Sequence, residues 1–157
     1  MDFECKKVPD QKLAVINYKG PITDMDVLVS KLLGWAESEE IKIESEPFII
    51  YYSPRHSVNE GDAVYDVGIV IDSEEEPERN DLIRVVDLFE HEVLSALHKG
   101  SIDNILETYE KVVEYSQENN YDIIGSPKEI LHKSLYNCDD ESEYITEIQL
   151  PIIKMWK

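Results

Sequence analysis

Apolar and polar residues alternate along most of this chain in two registers, and each register appears twice. Lys12 to Tyr18 alternates at period two, with Ala14, Ile16 and Tyr18 on one side and Leu13, Val15 and Asn17 on the other, which predicts a strand. Gly20-Pro21 breaks it, and Thr23 or Asp24 stands where a helix cap belongs. Met25, Leu28, Leu32 and Trp35 then recur at helical spacing and predict one buried stripe. Phe3 to Val8, Phe48 to Tyr52 and Val64 to Ile71 read as strands, the last with Val67, Ile69 and Ile71 alternating. Ser53-Pro54 ends the third of these four strands.

The second half repeats the plan. Strands are predicted over Leu82 to Leu88, Val93 to His98, Lys128 to Lys133 and Tyr144 to Ile152. A helix of about four turns is predicted where Ile102, Ile105, Leu106, Tyr109, Val112 and Val113 recur. The match is local as well as general. Lys19-Gly20-Pro21-Ile22 returns as Lys99-Gly100-Ser101-Ile102 (99 − 19 = 80), and Pro47 returns as Pro127 (127 − 47 = 80). The last strand fits one residue later, so that Ile148, Leu150 and Ile152 answer Val67, Ile69 and Ile71 (148 − 67 = 81). Two copies of a strand-strand-helix-strand-strand unit, 1–72 and 81–157, are joined by an acidic linker, 73–80, that contains Glu74-Glu75-Glu76-Pro77-Glu78. The expected fold is a single α+β domain with a pseudo-twofold axis, and the seam between such copies is a common place for a ligand.

Alternation also places candidate chemistry. With Ile148 and Leu150 under the helix, Glu147 and Gln149 point to the opposite face. Reading Ile130 as helix-facing puts Glu129 on that same far face. Two carboxylates would then share the uncovered face. The position matching Glu129 in the first copy is Ile49, with Tyr51 beside it, so the scaffold is symmetric and its chemistry is not.

Charge changes the picture in one respect. With 34 acidic against 15 basic residues the net charge is −19, which repels a nucleic-acid backbone and attracts cationic small molecules. The remaining signals are negative. No apolar run is long enough to span a membrane, and no signal peptide is visible. Cys5 and Cys138 read as reduced thiols of a cytoplasmic protein. His56, His91, His98 and His132 have no metal-ligand spacing, there is no phosphate loop, and no cofactor is expected. Trp35 and Tyr115 occupy equivalent helix positions and read as core.

Several motifs in order resemble the GyrI-like small-molecule-binding domain family. In the first half these are Val8-Pro9, Lys19-Gly20-Pro21, Trp35-Ala36 and Pro47-Phe48-Ile49-Ile50-Tyr51-Tyr52. In the second they are His98-Lys99-Gly100, Asn120-Tyr121, Gly125-Ser126-Pro127-Lys128-Glu129-Ile130 and Thr146-Glu147-Ile148-Gln149-Leu150-Pro151-Ile152. The resemblance covers almost the whole chain. It implies a duplicated unit whose eight antiparallel strands and two main helices form a pseudo-twofold ligand cleft. The family includes the effector-binding domain of BmrR- and Rob-type transcription activators, gyrase inhibitors and stand-alone proteins. It implies that Glu129 meets a cationic ligand and Glu147 assists, and that Pro21, Asp24, Val29 and Ile105 are wall positions; Tyr51 and Tyr109 complete the expected walls. Since the chain begins at the ligand-binding fold, a stand-alone member without a DNA-binding domain is expected.

Three functions follow as expectations. The first is binding of amphipathic, cationic and aromatic compounds. The second is hydrolysis of reactive, cyclopropane-bearing natural products by Glu129 and Glu147, since carboxyl groups removed from water can serve as general acids. The third is a protein-interaction module acting on a regulator or on gyrase. The sequence leaves binding and hydrolysis open.

Overall fold

The computed structural model describes residues 3–53 and 63–154; Pro54, His56 and the rest of 54–62 lie outside the described residues. Strands β1 (Phe3–Val8) and β2 (Gln11–Gly20) come first. Helix α1 (Met25–Ser38), β3 (Phe48–Tyr51), β4 (Ala63–Ile71) and β5 (Arg84–Leu88) follow. The second copy then gives β6 (His91–Lys99), α2 (Ile105–Glu118), β7 (Tyr121–Ile123), β8 (Lys128–Lys133) and β9 (Ile145–Lys154). The α+β class, the two main helices and their antiparallel strands are as the pattern predicts. The described residues form nine strands rather than eight. The additional one is β7, which pairs Ile123 with Ile152; its counterpart in the first copy is a single bridge from Ile43 to Ile71. Three residues carry too little alternation to announce themselves.

The strands group into two compact units whose limits differ from those of the sequence repeats. The α1 unit is Pro9–Glu90 and the α2 unit joins Met1–Val8 to His91–Lys157. In the α2 unit β1 pairs with β6, β6 with β9, and β9 with both β8 and β7. In the α1 unit β3 pairs with β4, β4 with β2, and β2 with β5. All these ladders are antiparallel. Each unit therefore takes its edge strand, β1 or β5, from the sequence that opens the other copy.

Each helix covers one face of its own unit's strands. α2 buries Ile105, Thr108, Val112 and Ser116, and its core joins Ile105 and Val112 to Leu94, Ala96, Ile148, Leu150 and Ile152. Tyr115 packs against that core with its ring centroid 4.8 Å from that of Phe3. α1 buries Leu28, Val29, Leu32 and Ala36, so its stripe is rotated slightly from the predicted one: Met25 and Trp35 flank it, half-buried. Both helices end at equivalent left-handed residues, Glu40 (φ 55°) and Asn120 (φ 61°) (120 − 40 = 80). Asparagine suits that conformation and glutamate does not.

Gly68 faces Phe48 on one side and Val15 on the other. A Cβ there would lie 2.3 Å from Phe48 Cζ and 3.0 Å from Val15 Cγ1, so the ring fits only because the side chain is absent. Gly68→Ala is expected to cost about 1–3 kcal/mol through overpacking. A urea melt with an unchanged midpoint would refute this.

Candidate functional site

Antiparallel residues directly opposite one another project to the same face. On β8 and β9 Glu129 stands opposite Ile148, and Ile130 stands opposite Glu147. Ile148 is in the core under α2. Glu129 therefore faces the helix, and the expectation that Glu129 and Glu147 share the uncovered face is corrected: the two carboxylates leave opposite faces of the strand pair. The physical reason is phase. In Lys128-Glu129-Ile130-Leu131-His132 the two apolar residues are adjacent, so β8 carries no alternation of its own and tertiary pairing sets its register.

On the helix face, Glu129 is only 2% exposed, and Tyr109 Oη donates to its Oε2 at 2.6 Å. Tyr109 comes from the second turn of α2, so helix and strand meet through this charge-assisted bond. The equivalent positions of the α1 unit, Val29 (109 − 80) and Ile49 (129 − 80), are both buried and apolar. The same scaffold thus carries a hydrocarbon pair in one unit and an acid–phenol pair in the other.

On the opposite face Glu147 gathers donors from four strands. Lys6 of β1 approaches Oε2 at 2.6 Å, Ser95 of β6 donates to it at 2.7 Å, and Gln149 of β9 donates to it at 2.8 Å. His132 of β8 lies 2.7 Å from Oε1. Burial raises the titration of Glu147, but the bonds from His132, Lys6, Gln149 and Ser95 outweigh it and hold the carboxyl well below the ordinary carboxylate range. A group so firmly ionised holds no proton to give, which departs from the raised pKa a carboxyl needs to act as a general acid. The α1 unit has a smaller version of this arrangement. Asp66 (147 − 81) accepts from Tyr52 (132 − 80) at 2.6 Å and from Asn17 at 2.8 Å.

Lys128 lies opposite Gln149, on the Glu147 face, and is 8% exposed. Burial lowers its ammonium to about 8, against the pull of Glu147. The native state thus binds fewer protons than the unfolded chain between about pH 8 and the ordinary lysine value of 10.5. By linkage, stability contributed through Lys128 rises with pH across that window. Lys128→Met is expected to flatten this slope in urea midpoints measured from pH 8 upward; an unaltered slope would refute the assignment.

The other expected residues are distributed as follows. Tyr51 is buried in the α1 unit opposite Tyr65, with ring centroids 6.4 Å apart, and Tyr65 is 5.7 Å from Tyr18. Asp24 stands at the N-cap of α1 but makes no cap bond with its side chain; the Tyr18 hydroxyl donates to its carboxylate instead. That bond, with desolvation, raises the Tyr18 hydroxyl, and desolvation with nearby Tyr18 and Asp24 pushes Tyr65 up to about 12. Pro21 is exposed and receives the Tyr65 hydroxyl on its carbonyl at 3.5 Å. Val29 and Ile105 lie in the cores of their respective units. Sequence reasoning gave no site role to Tyr18, Tyr65, Lys6, Ser95 or His132; Lys128, next to Glu129 on the strand, takes the opposite face as alternation requires. The signal for part of this set was present: offsets of 80 and 81 align Tyr52 with His132 and Asp66 with Glu147, a ring beside an acid in each copy.

Two related units, each an antiparallel sheet segment under one helix, with polar contacts set into one helix face, define a duplicated α+β protein of the ligand-binding kind. The chain belongs to the GyrI-like small molecule binding domain family, whose model matches residues 1–153. No curated protein matches its sequence. Among solved structures it is similar to the EcmrR C-terminal domain, with a TM-score of 0.83 and 17% identity over 98% of both chains. In the EcmrR–DNA complex 98% of this chain matches 58% of the EcmrR chain, with a TM-score of 0.82 and 17% identity. It is also similar to a hydrolase from Listeria innocua, with a TM-score of 0.69 and 11% identity over 96% of this chain and 91% of that one. SAV2435 bound to tetraphenylphosphonium matches with a TM-score of 0.59 and 11% identity over 98% of this chain and 94% of that one. These likenesses concern the fold. Among the described residues, no helix is long and apolar enough to cross a membrane.

Proposed function

We propose that this protein binds amphipathic organic cations with aromatic groups, using Glu129 on the α2-facing side of β8 as the charge that selects them. The observation that carries the reading is the burial of Glu129 against Tyr109. A carboxylate withdrawn from water is costly, and a bound cation offsets part of that cost. A neutral ligand of the same shape offers no such offset, so the site favours positive charge. The net charge of −19 draws cations toward the molecule and opposes direct contact with nucleic acid. The fold neighbour that holds tetraphenylphosphonium, a lipophilic aromatic cation, supports the same class of ligand. The free thiols Cys5 and Cys138 agree with a reducing, cytoplasmic setting.

Hydrolysis by the two glutamates together finds less support. Two carboxyl groups acting on one bond must flank it, whereas Glu129 and Glu147 project from opposite faces and Glu147 already receives four donors.

The test is calorimetric titration with tetraphenylphosphonium and with neutral triphenylphosphine oxide. The native protein is expected to prefer the cation. Glu129→Gln is expected to weaken cation binding at least tenfold, about 1.4 kcal/mol, and to leave the neutral compound unaffected. Equal binding of both compounds, or an unchanged affinity in the variant, would overturn the proposal.

A further inference from the structure

A hollow of about 570 Å³ opens beside the start of α2, with Asn104, Glu107, Thr108 and Lys111 on its helix side and His98 of β6 on its sheet side. This is within the usual volume of small-ligand sites, about 300–1,000 Å³. Two buried side chains, His98 and Thr108, meet on its wall. His98 stands opposite Thr146 of β9, which is two residues from Ile148 in the α2 core, so the imidazole projects toward α2. There its Nδ1 lies 2.7 Å from Thr108 Oγ1, and its Nε2 lies 2.7 Å from the Ser101 carbonyl oxygen. A carbonyl only accepts, so Nε2 carries the proton. In the neutral ring Nδ1 is then the acceptor, and the Thr108 hydroxyl donates to it. The α1 unit has no such pair: the equivalent residues are Tyr18 (98 − 80) and Leu28 (108 − 80), and Tyr18 donates to Asp24 instead.

A base within hydrogen-bond reach of a hydroxyl, itself oriented by a third group, is the arrangement that makes the hydroxyl nucleophilic. Donors for an oxyanion stand on either side. Asn104 precedes Thr108 by four residues (108 − 104 = 4) and Lys111 follows it by three (111 − 108 = 3), the spacing of one helix face, and both line the hollow. The Asn104 side chain makes no cap bond. The field of a chain at −19 opposes an anionic substrate and the Lys111 ammonium opposes a cationic one, so a small neutral substrate fits best. We propose that Thr108 and His98 are a nucleophile and its base, and that they hydrolyse small neutral esters admitted by this hollow. Oγ1 attacks the acyl carbon and passes its proton to Nδ1. The ester C–O bond then breaks, and the leaving alcohol takes that proton. Water attacks the acyl–threonine in turn and gives a proton to Nδ1; the bond from the acyl carbon to Oγ1 breaks, the acid leaves, and Oγ1 recovers the proton. The net reaction is ester plus water to acid plus alcohol, with Nε2–H held on the Ser101 carbonyl throughout.

The experiment uses the full chain and two probes. With 4-nitrophenyl acetate, saturable release of nitrophenolate above the buffer rate is expected. Thr108→Val, close to the native side chain in shape, and His98→Gln are each expected to lose about a hundredfold or more in kcat/KM. Thr108→Ser, which keeps the hydroxyl, is expected to retain turnover. With 4-nitrophenyl dimethylcarbamate, whose carbamoyl adduct hydrolyses slowly, peptide mass mapping of the native protein is expected to find the carbamoyl group on Thr108. That measurement requires no variant to fold. A pair that only fastens the Ser101 turn to α2 would give no turnover in the native protein. Absence of turnover above the buffer rate would overturn the proposal, as would unchanged turnover in Thr108→Val or His98→Gln, or a native protein carbamoylated only at other residues.

Discussion

Glu147→Ala is expected to destabilise the protein by about 3–5 kcal/mol, the cost of removing one partner from a buried, hydrogen-bonded charge cluster. Not every donor contributes equally to that loss. Lys6 and His132 are 36% and 42% exposed, and each can turn to water once the carboxylate is gone. Ser95 and Gln149 are buried and cannot. An unpaired hydroxyl and an unpaired amide account for most of the penalty. The loss is also topological, since Glu147 ties β1, β6 and β8 to β9 in one place. Its pH signature follows from the depressed titration. Above the ordinary glutamate value of 4.5 the stabilisation is complete. As pH falls through that value the unfolded chain takes up the proton first, so stability declines on acidification toward the much lower native titration. Urea denaturation between about pH 3 and 7 checks both points. A loss below about 1 kcal/mol for Glu147→Ala, or an acid slope that persists in Glu147→Gln, would show that the network does not hold the strands together.

The second large effect concerns function with little change in stability. The α1 unit already shows what the α2 unit would hold without chemistry: Val29 and Ile49 where the latter has Tyr109 and Glu129. Transplanting that pair as Tyr109→Val/Glu129→Ile is expected to leave stability within about 1 kcal/mol of the native protein or to raise it, because the buried carboxylate and its half-buried phenol donor are replaced together by apolar groups. Tyr109→Val alone is expected to cost about 1–3 kcal/mol, since it withdraws a donor from a buried carboxylate and leaves a cavity. The double variant is expected to lose its preference for tetraphenylphosphonium over triphenylphosphine oxide. Urea melts and parallel titrations read the two quantities separately. A double variant less stable than Tyr109→Val alone would show that Glu129 supports the fold, and retained cation preference would show that another group reads the charge.

Most of the fold was legible because the repeat gives every element a second reading. β8 was predicted at its observed limits, Lys128–Lys133, and the α2 core positions Ile105 and Val112 follow from helical spacing. The edge strands were legible as strands, yet not as members of the other copy's unit. A strand's alternation records that one face is buried, and says nothing about which sheet buries it. The site was legible as residue types. Glu129 stood out against Ile49, and Tyr109 fell on the helix at the right turn, but their mutual contact was concealed by the lack of alternation in β8. Asp24 shows the same limit at a helix start: the sequence marks a capping residue, and only the fold brings the Tyr18 hydroxyl to occupy its carboxylate.

The sequence by itself determined the duplication, the element order, the two helical stripes and the place where the copies differ. Those properties depend on local periodicity, and periodicity is written in the order of residues. Which face each carboxylate takes, which copy owns β1 and β5, and how a serine, a histidine, a glutamine and a lysine come together on Glu147 were decided by the tertiary structure. Strand register is a relation between distant segments, and shifting it by one residue moves every side chain to the other face. Glu129 meets Tyr109 because β8 takes its register from β9.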